Sequence, residues 1–292
     1  MMSMNRTTPG AALRALVKAS AIQVPGAPSA LVARMIEDAG FEAVYLSGAT
    51  LSANVLAMPD VGLFTLTELT QQVDYMTSRV AIPVIVDADT GFGDTFNVER
   101  TIADLERAGA AAIQLEDQVL PKRCGHLSGK ALVTTDEMCA KLRAAADARA
   151  DEGTVLVGRT DARAVEGFDA AVERANRYLE AGADWIFPEA LTTPEEFRAF
   201  AAEVDAPLVA NMTEFGKSPL LAFDELADMG YRVVLYPVTL LRVSMKAVET
   251  ALAILAADGS QRELLDLMQT RQELYDLLDY STYEARDREY FQ

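Results

Sequence analysis

Fifteen consecutive residues, 116–130, hold a large share of the chemistry this chain can perform: Glu116-Asp117-Gln118-Val119-Leu120-Pro121-Lys122-Arg123-Cys124-Gly125-His126-Leu127-Ser128-Gly129-Lys130. They bring together a thiol, the only histidine, two carboxylates and three cations, directly after an apolar run at 111–115. Positive charge from Lys122, Arg123 and His126 is expected to favour the Cys124 thiolate and lower its pKa. Gly125 and Gly129 are expected to keep the backbone loose around it. The alternative is a solvated surface loop with an incidental cysteine, and the crowding of reactive types after a strand argues against it.

A second group suits a hard cation. Asp87 and Asp89 stand at i, i+2 after the apolar run Val84-Ile85-Val86, so both carboxylates can point the same way. Asp60 is a candidate third member, acting through water. Oxygen ligands without histidine suit Mg²⁺, with Mn²⁺ as the alternative, far better than zinc. The competing reading is helix capping, which fits Asp94 better than the other two. Arg159, Arg242 and Arg271 are candidate carboxylate clamps, because a guanidinium grips a carboxylate through two parallel hydrogen bonds.

Eight short apolar runs must position these groups. They fall at 21–24, 43–46, 84–86, 112–115, 155–157, 185–187, 208–210 and 233–235. Continuous apolar runs of this length are the mark of parallel strands buried on both faces. Helical patterns separate them, at 29–39, 98–108, 168–181 and 223–229 among others, each followed by a glycine suited to a left-handed helix end. Strand and helix alternating eight times predict a single (β/α)₈ barrel, an α/β fold of the TIM type. A helical extension at 238–292 carries Leu252, Leu255, Leu264, Leu265, Leu267 and Met268 at packing intervals. Residues 1–292 are therefore read as one catalytic domain with this extension.

In such barrels the chemistry gathers at the C-terminal ends of the strands. Those ends carry Ser47-Gly48, Asp87 and Asp89, Glu116 and Asp117, and Arg159, Thr160 and Asp161. They continue with Glu189, then Asn211 and Thr213, then Tyr236. Cys139 and Trp185 read as packing residues.

The chain as a whole narrows the function classes. Its 292 residues are 50% hydrophobic and 24% charged, as in a globular protein with a large core. A formal charge of −18 argues against nucleic acid and anionic membranes, and it obliges an anionic substrate to rely on local arginines or a metal ion. No run of eighteen apolar residues is present. Two cysteines form no disulfide framework, which points to a reducing, cytoplasmic setting. The first acidic residue is Glu37, and Arg6, Arg14 and Lys18 precede it, a composition shared with transit peptides. The Thr8-Pro9-Gly10 start and the apolar face behind it instead predict a folded first helix.

Lys122-Arg123-Cys124-Gly125-His126 resembles the signature of the isocitrate lyase and phosphoenolpyruvate mutase superfamily. Tyr45-Leu46-Ser47-Gly48, residues 86–93, Gly158-Arg159-Thr160-Asp161-Ala162, Phe187-Pro188-Glu189-Ala190, residues 211–216 and Met268-Gln269-Thr270-Arg271 extend the resemblance over the whole chain. It is most similar to the branch that cleaves 2-methylisocitrate to pyruvate and succinate in propionate breakdown. Thr213-Glu214-Phe215-Gly216 fits that branch rather than isocitrate lyase, 2,3-dimethylmalate lyase or oxaloacetate hydrolase. Ala49 departs from the usual Ser-Gly-Gly yet leaves room for a methyl group.

The resemblance implies that Asp87 and Asp89 hold Mg²⁺. Ser47, Gly48, Ala49, Cys124, Gly125, Arg159, Glu189, Asn211, Met212, Thr213, Arg242 and Arg271 would meet the substrate. Cys124 would protonate the succinate carbanion, with Arg159 stabilising it, Glu116 and His126 in support, and Tyr45 as one candidate base. It also implies a homotetramer exchanging a C-terminal helix. The non-enzymatic alternative is a silent barrel that senses a dicarboxylate.

Overall fold

The computed structural model describes residues 7–127 and 129–291; Arg6 and the residues before it, Ser128 and Gln292 lie outside the described residues. Eight parallel strands follow one another: β1 Ile22–Pro25, β2 Val44–Leu46, β3 Val84–Asp87, β4 Ala112–Glu116, β5 Val155–Thr160, β6 Trp185–Pro188, β7 Leu208–Asn211 and β8 Tyr231–Tyr236. Their order in the sheet, β1-β8-β7-β6-β5-β4-β3-β2, brings β1 back beside β2. A bridge between Gly26 and Tyr45, with the Ala27 amide donating to the Tyr45 carbonyl at 2.9 Å, closes that last seam. The protein is thus the expected (β/α)₈ barrel.

The helices of the barrel are α1 Pro9–Ala19, α2 Ala30–Asp38, α3 Gly48–Leu56, α4 Leu66–Thr77, α5 Thr95–Arg107 and α6 Thr135–Ala148. After them come α7 Phe168–Glu180, α8 Pro194–Glu203 and α9 Phe223–Asp228. Their starts follow local chemistry: Thr8, Ser29, Ser47, Thr65, Asp94, Thr134 and Thr193 each accept a first-turn amide, satisfying donors that a helix leaves orphaned. Asp94 is the capping aspartate expected; Asp87 and Asp89 are not caps. Gly40, Gly109 and Gly182 adopt positive φ just past their helices and let the chain turn into the next strand.

One apolar layer, including Leu46, Val86, Ile113 and Leu156, packs against the helices. The other, with Val24, Ile85, Val157, Phe187 and Val233, fills the barrel interior. Cys139 and Trp185 are buried packing residues, as expected. The chain divides into two compact units, Met1–Leu241 and Arg242–Gln292. Past the boundary run the rest of α10, Thr239–Asp258, then α11 Arg271–Leu277 and α12 Tyr280–Tyr290. Among the described residues, no helix is long and apolar enough to cross a membrane.

Candidate active site at the barrel rim

The carboxylates of Asp87 and Asp89 do converge, by a route other than strand alternation. β3 ends at Asp87, and Asp89 then takes a left-handed conformation (φ 47°), which returns its amide to Asp87 Oδ1 at 3.2 Å. Asp87 is further fixed by Gln114 Nε2 at 3.2 Å and by the Gly48 amide at 3.1 Å. A Cβ on Gly48 would stand 2.8 Å from Asp89 Oδ1 and 3.2 Å from Asp87 Oδ2, so only glycine lets the start of α3 come this close.

Lys122 reaches into the same cluster. Its ammonium pairs with Asp60 and lies 2.9 Å from Asp89 Oδ1. Burial works against that ammonium, but Asp89, Glu116 and Asp60 outweigh it and hold the lysine above its ordinary pKa. Burial, opposed by Lys122 and reinforced by Asp87 and Asp60, pushes the Asp89 carboxyl up to about 7.

The opposite side of the rim is built on Arg159, near the end of β5. Its guanidinium faces three buried carboxylates: Asp161 Oδ2 at 3.0 Å, Glu189 Oε2 at 3.0 Å and Glu116 Oε2 at 3.4 Å. It also stands 5.1 Å over the ring of Phe187. Burial would raise the Glu189 carboxyl, yet Arg159 and His126 hold it well below the usual range. Burial pushes the Glu116 carboxyl well above it. Glu116 Oε1 and Asn211 Oδ1 are buried and take no hydrogen bond among the described residues. Asn211 Nδ2 reaches Glu189 at 3.2 Å.

The cysteine segment is pinned, contrary to the looseness expected of it. An antiparallel bridge joins Gln118 to Leu132, and the Gln118 side chain both donates to the Arg123 carbonyl (2.8 Å) and accepts its amide (2.9 Å). Gly125 serves close approach: a Cβ there would collide with Glu189 and Arg159. His126 bridges two loops. The Lys217 amide donates to its Nδ1 at 2.9 Å, which leaves the ring proton on Nε2, 3.0 Å from Glu189 Oε1.

The expected lowering of the Cys124 pKa is wrong. Burial of the half-buried thiol raises it, and the Glu189 charge adds to the rise; the His126 amide and Arg159 oppose but do not reverse it. Lys122 is turned to the aspartates, and Arg123 is exposed. Two further expected site residues have defined surroundings. The Tyr45 hydroxyl donates to Gln114 Oε1 at 3.0 Å, and burial, with Asp87 beside it, raises its pKa well above 10. Met212 is buried in the core, where its sulfur accepts the Leu221 amide, so its side chain does not face the rim.

Ser47 caps α3, Ala49 is its second residue, and Thr213 is buried past β7. Arg242 on α10 and Arg271, the first residue of α11, belong to the second unit; the groups gathered here come from the first. In the sequence Lys122 and Asp161 stand out without their partners, Lys130 only as a cation of the cysteine segment, and Gln114 only as part of a strand.

Among the described residues, the carboxylates of Asp60, Asp87, Asp89, Glu116, Asp161 and Glu189 outnumber the Lys and Arg side chains paired with them at this rim, Lys122, Lys130 and Arg159. A hard divalent cation fits that surplus and the all-oxygen donors of Asp87, Asp89 and Asp60. Among the described residues, no three His, Cys, Asp or Glu side chains are grouped closely enough to hold a metal ion by themselves. Water and substrate oxygens would therefore finish the coordination shell, as suits magnesium.

A parallel barrel with its ionisable groups on the C-terminal rim defines an enzyme of the TIM-barrel class. The family model for phosphoenolpyruvate phosphomutase matches residues 13–256, and the chain belongs to that family. It is 56% identical over 282 residues to the 2-methylisocitrate lyase of Aeropyrum pernix, covering 96% of this chain and 91% of that one. Among solved structures, a 2,3-dimethylmalate lyase superimposes with a TM-score of 0.90 at 36% identity, covering 96% and 95% of the two chains. A phosphonopyruvate hydrolase in complex with oxalate and Mg²⁺ gives 0.89 at 33% identity, covering 98% and 100%.

Proposed function

We propose that this protein is a carbon–carbon lyase that cleaves 2-methylisocitrate to pyruvate and succinate. The observation that carries the chemistry is a half-buried cysteine with a raised pKa, set beside Arg159 and Glu189. Such a thiol holds its proton at neutral pH and suits a general acid rather than a nucleophile. Identity to a 2-methylisocitrate lyase of 56%, against 36% to a 2,3-dimethylmalate lyase, supports the substrate.

In this reading the substrate hydroxyl loses its proton to a base, Tyr45 or a water held by Asp60, its carbon–oxygen bond becomes the pyruvate carbonyl, and the adjoining carbon–carbon bond breaks. The electron pair passes to the succinate half as an enediolate. Arg159, kept charged by Asp161 and Glu189, stabilises that developing charge. Cys124 then delivers its proton to the carbanion, and the His126 amide and Arg159 support the thiolate left behind. Asn211 and Glu116 offer unsatisfied oxygens, Ser47 and Ala49 flank the start of α3 where Gly48 holds Asp87, and Thr213 offers a hydroxyl. Asp87 and Asp89, with Asp60 through water, would hold Mg²⁺, which when bound supplies positive charge to the substrate's hydroxyl and carboxylate oxygens. The magnesium in the oxalate complex of the related hydrolase supports this assignment.

Two lesser assignments belong to the same reading. Exposed Val243, Leu252, Leu265 and Leu267 support self-association as a homotetramer, and two unpaired cysteines support a cytoplasmic protein.

Pyruvate release coupled to lactate dehydrogenase tests the function, with 2-methylisocitrate, isocitrate and 2,3-dimethylmalate offered separately, with and without Mg²⁺. Metal-dependent pyruvate, fastest from 2-methylisocitrate, is the expected result. Faster release from 2,3-dimethylmalate would overturn the substrate while keeping the chemistry. No turnover of any substrate would move the protein to the silent, dicarboxylate-binding class.

A further inference from the structure

Lys130 lies seven residues beyond Arg123 and has so far figured only as a counter-charge to the rim carboxylates. Its side chain is 1% exposed, and its ammonium is 2.6 Å from Asp161 Oδ1. The same ammonium donates to the backbone carbonyl of Gly125, the residue after Cys124. Asp161 is itself fully buried and gives its other oxygen to Arg159 Nε at 3.0 Å. Its backbone amide is held at 2.9 Å by Asp117, whose carboxylate also accepts from Thr160 and Tyr178, both at 2.7 Å. One carboxylate on a rigid strand end thus grips the cysteine segment through Lys130 and the guanidinium directly.

Other ties among the described residues act through different groups. Gln118 holds Arg123, the bridge to Leu132 holds the base, and the side chains of Lys122 and His126 reach Asp89 and Glu189. The Leu127 amide closes a turn onto the Cys124 carbonyl at 2.9 Å but stays within the segment. Lys130 joins the backbone at Gly125 to the barrel, and its buried ammonium is compensated only while it keeps both that carbonyl and Asp161. A neutral donor would satisfy the carbonyl alone; the ammonium also balances Asp161.

We infer that Lys130 is a positioning residue for Cys124, setting the thiol against Arg159 through their shared partner Asp161. The inference rests on the lyase reading for its kinetic consequence, while its structural consequence is independent of substrate.

The test uses the full chain with Lys130→Met and Lys130→Gln. Alkylation of each cysteine by iodoacetamide at pH 8 is followed by peptide mass without substrate, with Cys139, buried in α6, as the internal reference. Release of the segment should speed alkylation of Cys124 at least tenfold in Lys130→Met and leave Cys139 unchanged. Lys130→Gln, which retains a donor for Gly125, should fall between that variant and the parent. With 2-methylisocitrate, kcat should drop about 10²-fold in Lys130→Met, the scale of a misplacement of ~1 Å, while KM stays within about threefold.

Equal Cys124 rates in variant and parent would overturn the inference. So would parallel acceleration of both cysteines, which marks general loosening. If Lys130→Met does not fold, Lys130→Gln decides the matter, and a parent-like kcat and alkylation rate there would refute the role. If the parent protein releases no pyruvate, the lyase reading fails, and the alkylation arm still decides Lys130.

Discussion

Glu189→Gln isolates one buried charge with almost no change of shape. Oε2 of Glu189 faces Arg159 at 3.0 Å and Asn211 at 3.2 Å. Oε1 faces His126 Nε2 at 3.0 Å and the Ala190 amide at 2.9 Å. A glutamine has one acceptor, so either its amide group opposes the guanidinium or it opposes two neutral donors. Leaving donors unsatisfied costs about 1–3 kcal/mol each, and breaking a buried ion pair on one side costs about 3–5 kcal/mol. We expect ~3–5 kcal/mol of destabilisation at pH 7.5. At about 2–3 °C per kcal/mol for a domain this large, Tm should fall by roughly 6–15 °C.

The pH dependence has a definite sign. Glu189 titrates below its unfolded value, so its contribution is complete above that value and is lost as pH falls through the folded one. The gap between parent and variant should therefore stay constant from pH 8 to 6. It should narrow below about pH 4.3, the value of an unperturbed glutamate. Differential scanning calorimetry across that range measures it. A difference under about 1 kcal/mol at pH 7.5, or one already gone at pH 6, would refute the charge lattice around Arg159.

Cys124→Ser should lower kcat by about 10²–10⁴-fold while leaving Tm nearly unchanged, and iodoacetamide titration of the parent Cys124 should show an inflection above the ordinary thiol value near 8.5 because burial raises it. Gly48→Ala places a Cβ 2.8 Å from Asp89 Oδ1; the displaced carboxylates should weaken Mg²⁺ binding about 10–100-fold in calorimetric titrations, and unchanged affinity would dissociate Gly48 from the metal site. Tyr178→Phe removes a 2.7 Å donor from buried Asp117 and should cost about 1–3 kcal/mol in denaturant unfolding.

The barrel was legible because its signals are local and repeated. Short apolar runs such as 84–86 and 208–210, and the glycines at 40, 109 and 182, depend on neighbouring residues alone. The strand-end positions of Asp87, Glu116, Arg159 and Glu189 followed from the same periodicity. What the sequence hid was direction. Lys122 adjoins Arg123 and Cys124 in the chain yet points at Asp60 and Asp89, so its charge does not reach the thiol as adjacency implied. Burial, the largest cause of the raised Cys124 and Tyr45 pKa values, depends on tertiary packing that no local spacing encodes. Met212 lay within a recognisable motif, but its side chain answers to the core. Asp161 and Lys130 meet across 31 positions, a pairing visible only once the strands are side by side.

Three carboxylates from β4, the end of β5 and β6 share one guanidinium, and this limits how the protein can evolve. Replacing any one of them changes the charge balance around the shared guanidinium, so substitutions at Glu116, Arg159, Asp161 and Glu189 will be epistatic and rarely tolerated singly. Heritable change in substrate preference is thereby channelled to positions outside the lattice, such as Ala49 at the start of α3 and Thr213 beyond β7. Divergent members of such a lineage would keep an invariant ionic floor and drift at its margins.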